Sequence, residues 1–311
     1  MTVHRDTFRA PDGYELATYR WEPEGEPRAI LQLVHGMAEH MMRYAAFAET
    51  FVERGFLVHG HEHRGHGHSV PTGERPGHIG DHDGFAKMVG DLHARAEAVK
   101  REHPDLPRAI FCHSMGGYVG QAALGQHPED ADAWIISGNG GKPPLIATAG
   151  RGIARVERMR LGKKGVSALV RKLTFGDFNK GFEGRTDFDW LSRDQDRVNA
   201  YAADPLCGYD VSIETWVQLL DAIPTLTQPA NLAGIPKEKP IYVLAGSRDT
   251  SIGGARGAEN LARAYREAGL LDVTLKVWPE GRHEMLNELN RADVTAALVA
   301  WTEERLLPGP R

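Results

Sequence analysis

Apolar residues along this chain fall into short continuous runs separated by amphipathic stretches, the pattern of buried parallel strands alternating with covering helices. Glu15–Trp21 alternates instead, as a half-exposed antiparallel edge strand does, and the Pro- and Gly-rich stretch 22–27 turns the chain after it. Ala29–Val34 is a strongly apolar strand. A helix is expected over 43–54 with Gly55 as its stop, then a short strand over 56–59. Phe85, Met88, Val89, Leu92, Ala96 and Val99 recur at helical spacing and predict an amphipathic helix that covers the sheet. Further strands are expected around Ile110, at Ala133–Ser137, over 241–245 and at Val273–Trp278, with a last helix over 293–307. Between about 140 and 228 the alternation stops: no strand pattern, several glycines, scattered aromatics and many basic residues, as in a cap inserted into a sheet domain. No repeat or low-complexity tract interrupts this order.

The strand around Ile110 runs directly into His113-Ser114-Met115-Gly116-Gly117. A serine at the tip of a sharp strand-to-helix turn exposes its Oγ, and the first helical N–H groups then face the anion formed when it attacks a carbonyl. Such a turn demands small neighbours. Gly116 meets that demand, whereas Cys112 stands where the G-x-S-x-G pattern has its first glycine. Ser-Met-Gly-Gly also reads as an ordinary loop. A serine hydroxyl needs a histidine to take its proton and a carboxylate to hold that histidine. Asp249 follows the strand over 241–245, and His283 follows Val273–Trp278 after Pro279-Glu280-Gly281-Arg282. Each alone has a bland reading, Asp249 as a turn former and His283 as one of 15 histidines. The order Ser114, Asp249, His283 is that of α/β-hydrolases. His35-Gly36 ends the strand Ala29–Val34, where a glycine lets the backbone turn its N–H groups toward the nucleophile. The backbone N–H groups of Met37 and Met115 are the expected oxyanion donors. Gly36, Phe182 and Trp190 are the expected substrate-binding residues.

Several blocks together resemble the monoacylglycerol lipase and lysophospholipase branch of the α/β-hydrolase superfamily. They are Val34-His35-Gly36-Met37-Ala38-Glu39-His40 with Arg43-Tyr44, then His63-Arg64-Gly65-His66-Gly67-His68-Ser69, His113-Ser114-Met115-Gly116-Gly117, and Asp204-Pro205-Leu206-Cys207. The family usually has glycine at the place of Cys112 and aspartate at that of Glu62. The resemblance implies a serine esterase acting on single-acyl-chain lipids or similar esters, without metal or organic cofactor. With the element pattern it gives an eight-stranded, mostly parallel α/β-hydrolase sheet, its core formed by residues 1–139 and 229–311 and its helical cap by 140–228. Two other readings stay open. An aminopeptidase or amidase on the same scaffold would need acidic residues for a substrate ammonium, and Glu39, Asp187 or Asp204 are available. A catalytically silent ligand receptor would have no use for an activated serine.

Composition narrows the partners. The chain has 311 residues, 41% of them hydrophobic, enough for a large core, and a formal net charge of −5 with no basic tail argues against nucleic acid. Residues 1–12 carry no apolar signal core and no run of about 18 apolar residues occurs, so a soluble cytoplasmic protein is expected. The two cysteines, Cys112 and Cys207, are expected to be free thiols. Arg151, Arg155, Arg158, Arg160, Lys163, Lys164, Arg171 and Lys172 crowd the cap with only Glu157 among them, as a solvated helical face or as a site of transient contact with an anionic lipid surface. Phe175, Phe178, Phe182, Phe188 and Trp190 either form the cap's own small core or line an acyl site. Finally, His59, His61, His63, His66 and His68 lie within ten residues with Glu62 among them. Alternate histidines on a strand share a face and raise a metal site, but the family resemblance implies a structural loop tied by hydrogen bonds beside the oxyanion turn.

Overall fold

The computed structural model describes residues 3–141, 145–174 and 178–307. Its strands are β1 (Val3–Arg9), β2 (Glu15–Trp21), β3 (Ala29–Val34), β4 (Phe56–His61), β5 (Arg108–His113), β6 (Ala133–Ser137), β7 (Ile241–Gly246) and β8 (Val273–Trp278). They form one eight-stranded sheet in the order β1-β2-β4-β3-β5-β6-β7-β8. The pairs β1–β2 and β2–β4 are antiparallel and the rest are parallel. The helices are α1 (Ala45–Val52), α2 (Gly84–Glu102), α3 (Met115–Gln126), α4 (Leu145–Leu161), α5 (Ala168–Leu173), α6 (Gln195–Ala203), α7 (Ile213–Ala222), α8 (Pro229–Leu232), α9 (Ala255–Glu267) and α10 (Arg291–Leu306).

The central strands are buried on both faces, which is why they read as continuous apolar runs. Ile110 and Cys112 of β5 face one core with Val34, Ile136, Val243, the buried side of α2 and α3, and Leu261 of α9. Ala109 and Phe111 face the other with Leu33, Ile135, Leu244, Phe47 and Leu298. This alternation covers the sheet on both sides and leaves its carboxyl edge open. Ser114, Asp249, His283 and Gly36 all sit there, just past the ends of β5, β7, β8 and β3, the usual place for chemistry in an open α/β sheet. Over that edge, between β6 and β7, the chain inserts a helical cap that includes α4 to α7.

Two local expectations are corrected, and one strand was not anticipated. The helix expected over 43–54 is a 3₁₀ turn, Met41–Tyr44, followed by α1. The strand expected over 56–59 continues to His61, because β4 keeps pairing with β2 through Thr18 and His61. β1, mostly exposed at the sheet edge, carries no apolar run and gave no strand signal, although it pairs with β2 along its whole length.

Cys112 is accommodated by a glycine that lies well beyond the motif. It is fully buried, and a Cβ placed on Gly120 of α3 would collide with its sulfur. Gly120 thus makes room where the usual pattern removes the side chain at 112. Gly120→Ala should gain helix propensity worth up to about 1 kcal/mol but lose about 1–3 kcal/mol to overpacking, for a net destabilisation. Urea unfolding should show that penalty shrink or reverse in the Cys112→Gly background. An equal penalty in both backgrounds would show that the two positions are not coupled.

Candidate active site

Ser114 sits between β5 and α3 with φ 53° and ψ −119°, a conformation that costs a non-glycine residue roughly 1–3 kcal/mol. Several contacts hold it there. Its N–H donates to the Ser137 carbonyl at 2.9 Å, and its carbonyl accepts from Tyr118 N–H at 3.1 Å and from Asn139 Nδ2 at 2.9 Å. A Cβ at Gly116 would collide with the carbonyl oxygen of His35, and one at Gly117 with Asn139. Both glycines are required by this close approach rather than by their own torsions.

His283 Nε2 lies 2.9 Å from Ser114 Oγ, and its Nδ1 lies 2.9 Å from Asp249 Oδ2. With Nδ1 protonated, as the carboxylate requires, Nε2 is free to accept the serine proton. Ser251 was not anticipated. Its Oγ donates to Asp249 Oδ1 at 2.6 Å and lies 3.1 Å from His283 Nδ1, and its N–H also donates to Oδ1. Asp249 is fully buried. Burial works against its ionised form, but the His283 charge and the hydrogen bonds from His283 and Ser251 outweigh it and hold the carboxyl below its usual range. For His283, burial disfavours the cation and Asp249 more than restores it, so the imidazole titrates above its usual value of 6.5. His113, whose ring centroid lies 4.7 Å from that of His283, behaves oppositely: burial and the His283 charge lower it to about 4. It therefore stays neutral beside His283.

The turn after β3 approaches the serine closely. A Cβ on Gly36 would lie 3.2 Å from Ser114 Cβ and 2.6 Å from Glu39 Oε1. Gly36 N–H donates to that oxygen at 2.5 Å, and Tyr44 OH donates to it at 2.8 Å. Arg43 pairs with the other Glu39 oxygen and reaches both oxygens of Glu284, next to His283, at 2.7 and 2.6 Å. Burial opposes the ionised Glu39, but Arg43 and the hydrogen bonds keep it below the usual glutamate range. One guanidinium thus links the turn after β3 to the loop that carries His283. Met37 and Met115 flank Ser114 from these two directions, and among the described residues neither N–H has an acceptor within the fold.

Trp190 lies over His283 with ring centroids 4.8 Å apart, and its carbonyl accepts from His283 N–H at 3.3 Å. Phe182 rests on the guanidinium of Arg282 at 4.2 Å and that of Arg248 at 5.4 Å. Phe178, Phe182, Phe188 and Trp190 pack into one small cluster with Leu191, Tyr201 and Cys207. Phe175 lies outside the described residues.

Apart from exposed His68, the histidine-rich run is an interior knot. His63 N–H donates to His35 Nε2 at 2.9 Å, which places the His35 proton on Nδ1, donating to Gly36 O at 2.7 Å. His63 Nε2 returns a bond to His35 O at 3.0 Å, and Arg64 pairs with buried Asp91 at 2.5 Å and with Asp12 at 2.7 Å. Burial lowers His61 to about 3 and His66 to about 4, so these rings are neutral. Glu62 accepts from Tyr19 OH, Met41 N–H and His68 N–H. The basic stretch of the cap is largely paired: Arg151 and Arg155 with Asp221, Arg158 with Glu214, Arg160 with Glu157, Lys164 with Glu74, and Arg171 with Asp187 and Asp210. Both cysteines are free thiols, and no helix of the described residues is long and apolar enough to cross a membrane.

The family model described as Serine aminopeptidase, S33 matches residues 25–290. The monoacylglycerol lipase of Mycolicibacterium smegmatis is 30% identical over 98% of this chain and 99% of its own length. The human monoglyceride lipase is 28% identical over 94% of this chain and 88% of its own. Among solved structures, a thermostable carboxyl esterase from Bacillus coagulans in complex with glycerol superposes with a TM-score of 0.89 at 25% identity, covering 99% of this chain and 100% of that one. The chain belongs to the Serine aminopeptidase, S33 family of α/β-hydrolases, and within it to the monoacylglycerol lipase-like serine hydrolases.

Proposed function

We propose that this protein is a carboxylic ester hydrolase that cleaves monoacylglycerols, lysophospholipids or similar single-chain esters through an acyl-enzyme. The observation that carries the reading is the hydrogen-bonded line Asp249–His283–Ser114 at the carboxyl edge of the sheet, beneath an aromatic cap. Ser114 Oγ attacks the ester carbonyl while its proton passes to His283 Nε2. The oxyanion is held by the N–H groups of Met37 and Met115. Collapse expels the alcohol, which takes the proton from Nε2. Water then attacks the acyl-serine with His283 again as base, releasing the fatty acid. Asp249, steadied by Ser251, fixes the imidazole tautomer and stabilises its cation. In this reading residues 1–139 and 229–311 make the catalytic core and 140–228 the cap. Gly36 lines the substrate site through its backbone beside Ser114, and Phe182 and Trp190 line its cap side. Exposed Val156, Met159, Leu169 and Leu173 support transient contact of the cap with a lipid surface. Two buried free thiols fit a cytoplasmic, reducing setting.

The aminopeptidase reading has less support. Glu39 is consumed by Gly36, Tyr44 and Arg43, Asp204 accepts from His40 at 2.9 Å, and Asp187 lies on the outside of the cap against Arg171. None of the three is spare to hold a substrate ammonium. The names borne by the relatives, monoacylglycerol lipase and monoglyceride lipase, point the same way.

A fluorophosphonate probe should label the wild-type protein at Ser114. Ser114→Ala and His283→Ala should each lower p-nitrophenyl ester turnover by several orders of magnitude, leaving roughly 10³-fold catalysis over water. Retention of most activity in His283→Ala would remove it from the mechanism.

Because His283 acts as a base only when neutral, and its folded value lies above 6.5, kcat/KM on an uncharged ester should fall as pH drops through an inflection above 6.5 and level off on the alkaline side. Asp249→Asn should move the inflection down as well as cut kcat by about 10⁴. A wild-type inflection at or below 6.5 would mean that Asp249 does not control the base.

Each methylene buried in the transition state is worth about 0.8 kcal/mol, close to a fourfold gain. Across the acetate to palmitate p-nitrophenyl series kcat/KM should therefore climb until the acyl site is full, and monoacylglycerols should outperform triacylglycerols. Deleting the cap would also remove the Trp190 and Leu191 carbonyls that hold the His283 loop, so the series is best run on the intact chain. Acetate as the best substrate would sink the lipid assignment and leave the esterase one standing.

A further inference from the structure

Among the described residues, His40, Asp204 and Cys207 bring a ring nitrogen, a carboxylate oxygen and a thiol sulfur within 4.8 Å of one another. His40 belongs to the core and follows the oxyanion turn directly. Asp204 and Cys207 belong to the cap loop after α6. The loop is fixed to the core by the backbone, with Gly208 N–H and Tyr201 OH both donating to Ala38 O at 2.9 Å. Asp204 Oδ1 is occupied by Leu206 N–H at 2.8 Å, and Oδ2 lies 2.9 Å from His40 Nε2 in a hydrogen bond that a bound cation would replace. The donor atoms are thus held by two separate elements already locked together.

We propose that His40, Asp204 and Cys207 form a binding site for a borderline divalent cation of the zinc class, which clips the cap loop to the oxyanion turn. A mixed imidazole, carboxylate and thiolate set is what such an ion selects. A tetrahedral zinc ion spaces its donors about 3.2–3.8 Å apart, within reach of small rotations from the present separations, and three protein ligands leave one position for water. Binding replaces the hydrogen bond between His40 Nε2 and Asp204 Oδ2, the imidazole proton moving to Nδ1, and the Cys207 thiol proton leaves to solvent as the metal–sulfur bond forms. The Asp204 side chain is 31% exposed and the His40 side chain 11%, which gives the ion an entry path from the surface. This site is independent of the ester-hydrolase reading, and the serine relay makes no use of it.

Cobalt(II) reports on thiolate ligation directly, through a near-ultraviolet sulfur-to-metal charge-transfer band and tetrahedral visible bands. Titrating the full chain with cobalt should develop both at one equivalent. Zinc should bleach them and raise the Tm. Cys112→Ala should keep the signal, Cys207→Ser should lose the charge-transfer band, and Asp204→Asn should weaken cobalt binding tenfold or more. Absence of the band in wild type, its persistence in Cys207→Ser, or its loss in Cys112→Ala would each overturn the proposal. So would binding without sulfur ligation, since the surface histidines alone could account for it. Should Cys207→Ser fail to fold, an unchanged affinity in Asp204→Asn overturns it equally.

Discussion

The backbone of Ser114 is held in a strained conformation, and much of the surrounding structure exists to keep it there. A residue with a Cβ does not stay at φ 53° and ψ −119° unless neighbouring contacts over-determine it. Here β6 supplies a carbonyl to Ser114 N–H, Asn139 caps its carbonyl, and two glycines admit β3 and Asn139 to van der Waals distance. The parallel sheet makes this possible. Because β3, β5, β7 and β8 point the same way, their carboxyl ends bring the Gly36 turn, Ser114, Asp249 and His283 to one edge. A serine so placed has its Oγ lifted clear of the sheet at the N-terminus of α3.

The second constraint is electrostatic. Glu39 and Glu284 are buried and the Arg43 side chain is only 11% exposed, so each would be costly to strand without its partners. Glu39 accepts from Gly36 N–H while Glu284 is the residue after His283, so the ion network carries position as well as charge. The Gly36 turn and the loop that carries His283 are fixed relative to each other by one guanidinium, through the pairing of Arg43 with Glu284, 241 residues away. His113 complements this. Kept neutral at about 4, it fills the space beside His283 without opposing the imidazolium that forms there.

What was legible in the sequence follows from these physical causes. Strands buried on both faces appear as apolar runs, and Ser114 and Asp249 were readable because each follows such a run at once or within a few residues, whereas His283 follows β8, a partly exposed strand that alternates instead. β1 was not readable because it buries almost nothing. α9 was missed because its buried stripe is largely glycine and alanine, with only Leu261 and Tyr265 as large members. The basic stretch of the cap looked unbalanced because its partners Glu74, Glu214 and Asp221 lie 56 to 90 residues away. Cys112 looked like a flaw in the motif for the same reason: the glycine that answers it is Gly120, one turn into α3 and outside the pattern. Ser251 was within two residues of Asp249, and a serine there able to reach the carboxylate was a signal that could have been used.

The two parts of the cap are attached differently, and this bears on how substrate gets in. Trp190 O and Leu191 O accept from His283 and Glu284, Arg282 donates to the carbonyls of Asp189 and Ser192, and Tyr201 and Gly208 donate to Ala38. Lifting residues 189–208 would therefore break bonds that hold the His283 loop and the turn after β3. By contrast, Ala154 of α4 and Val170 of α5 pack mainly on Ile213 and Val217 of α7, a small cluster within the cap itself, while Met159 on the outside of α4 is 78% exposed. Opening confined to α4 and α5 leaves Asp249, His283 and Ser114 in register, and opening of the 189–208 segment does not. The cap is thus attached in two ways: residues 189–208 are bonded to the loops that carry His283 and Gly36, whereas α4 and α5 pack mainly on α7 and reach the core through Lys163 and Lys164.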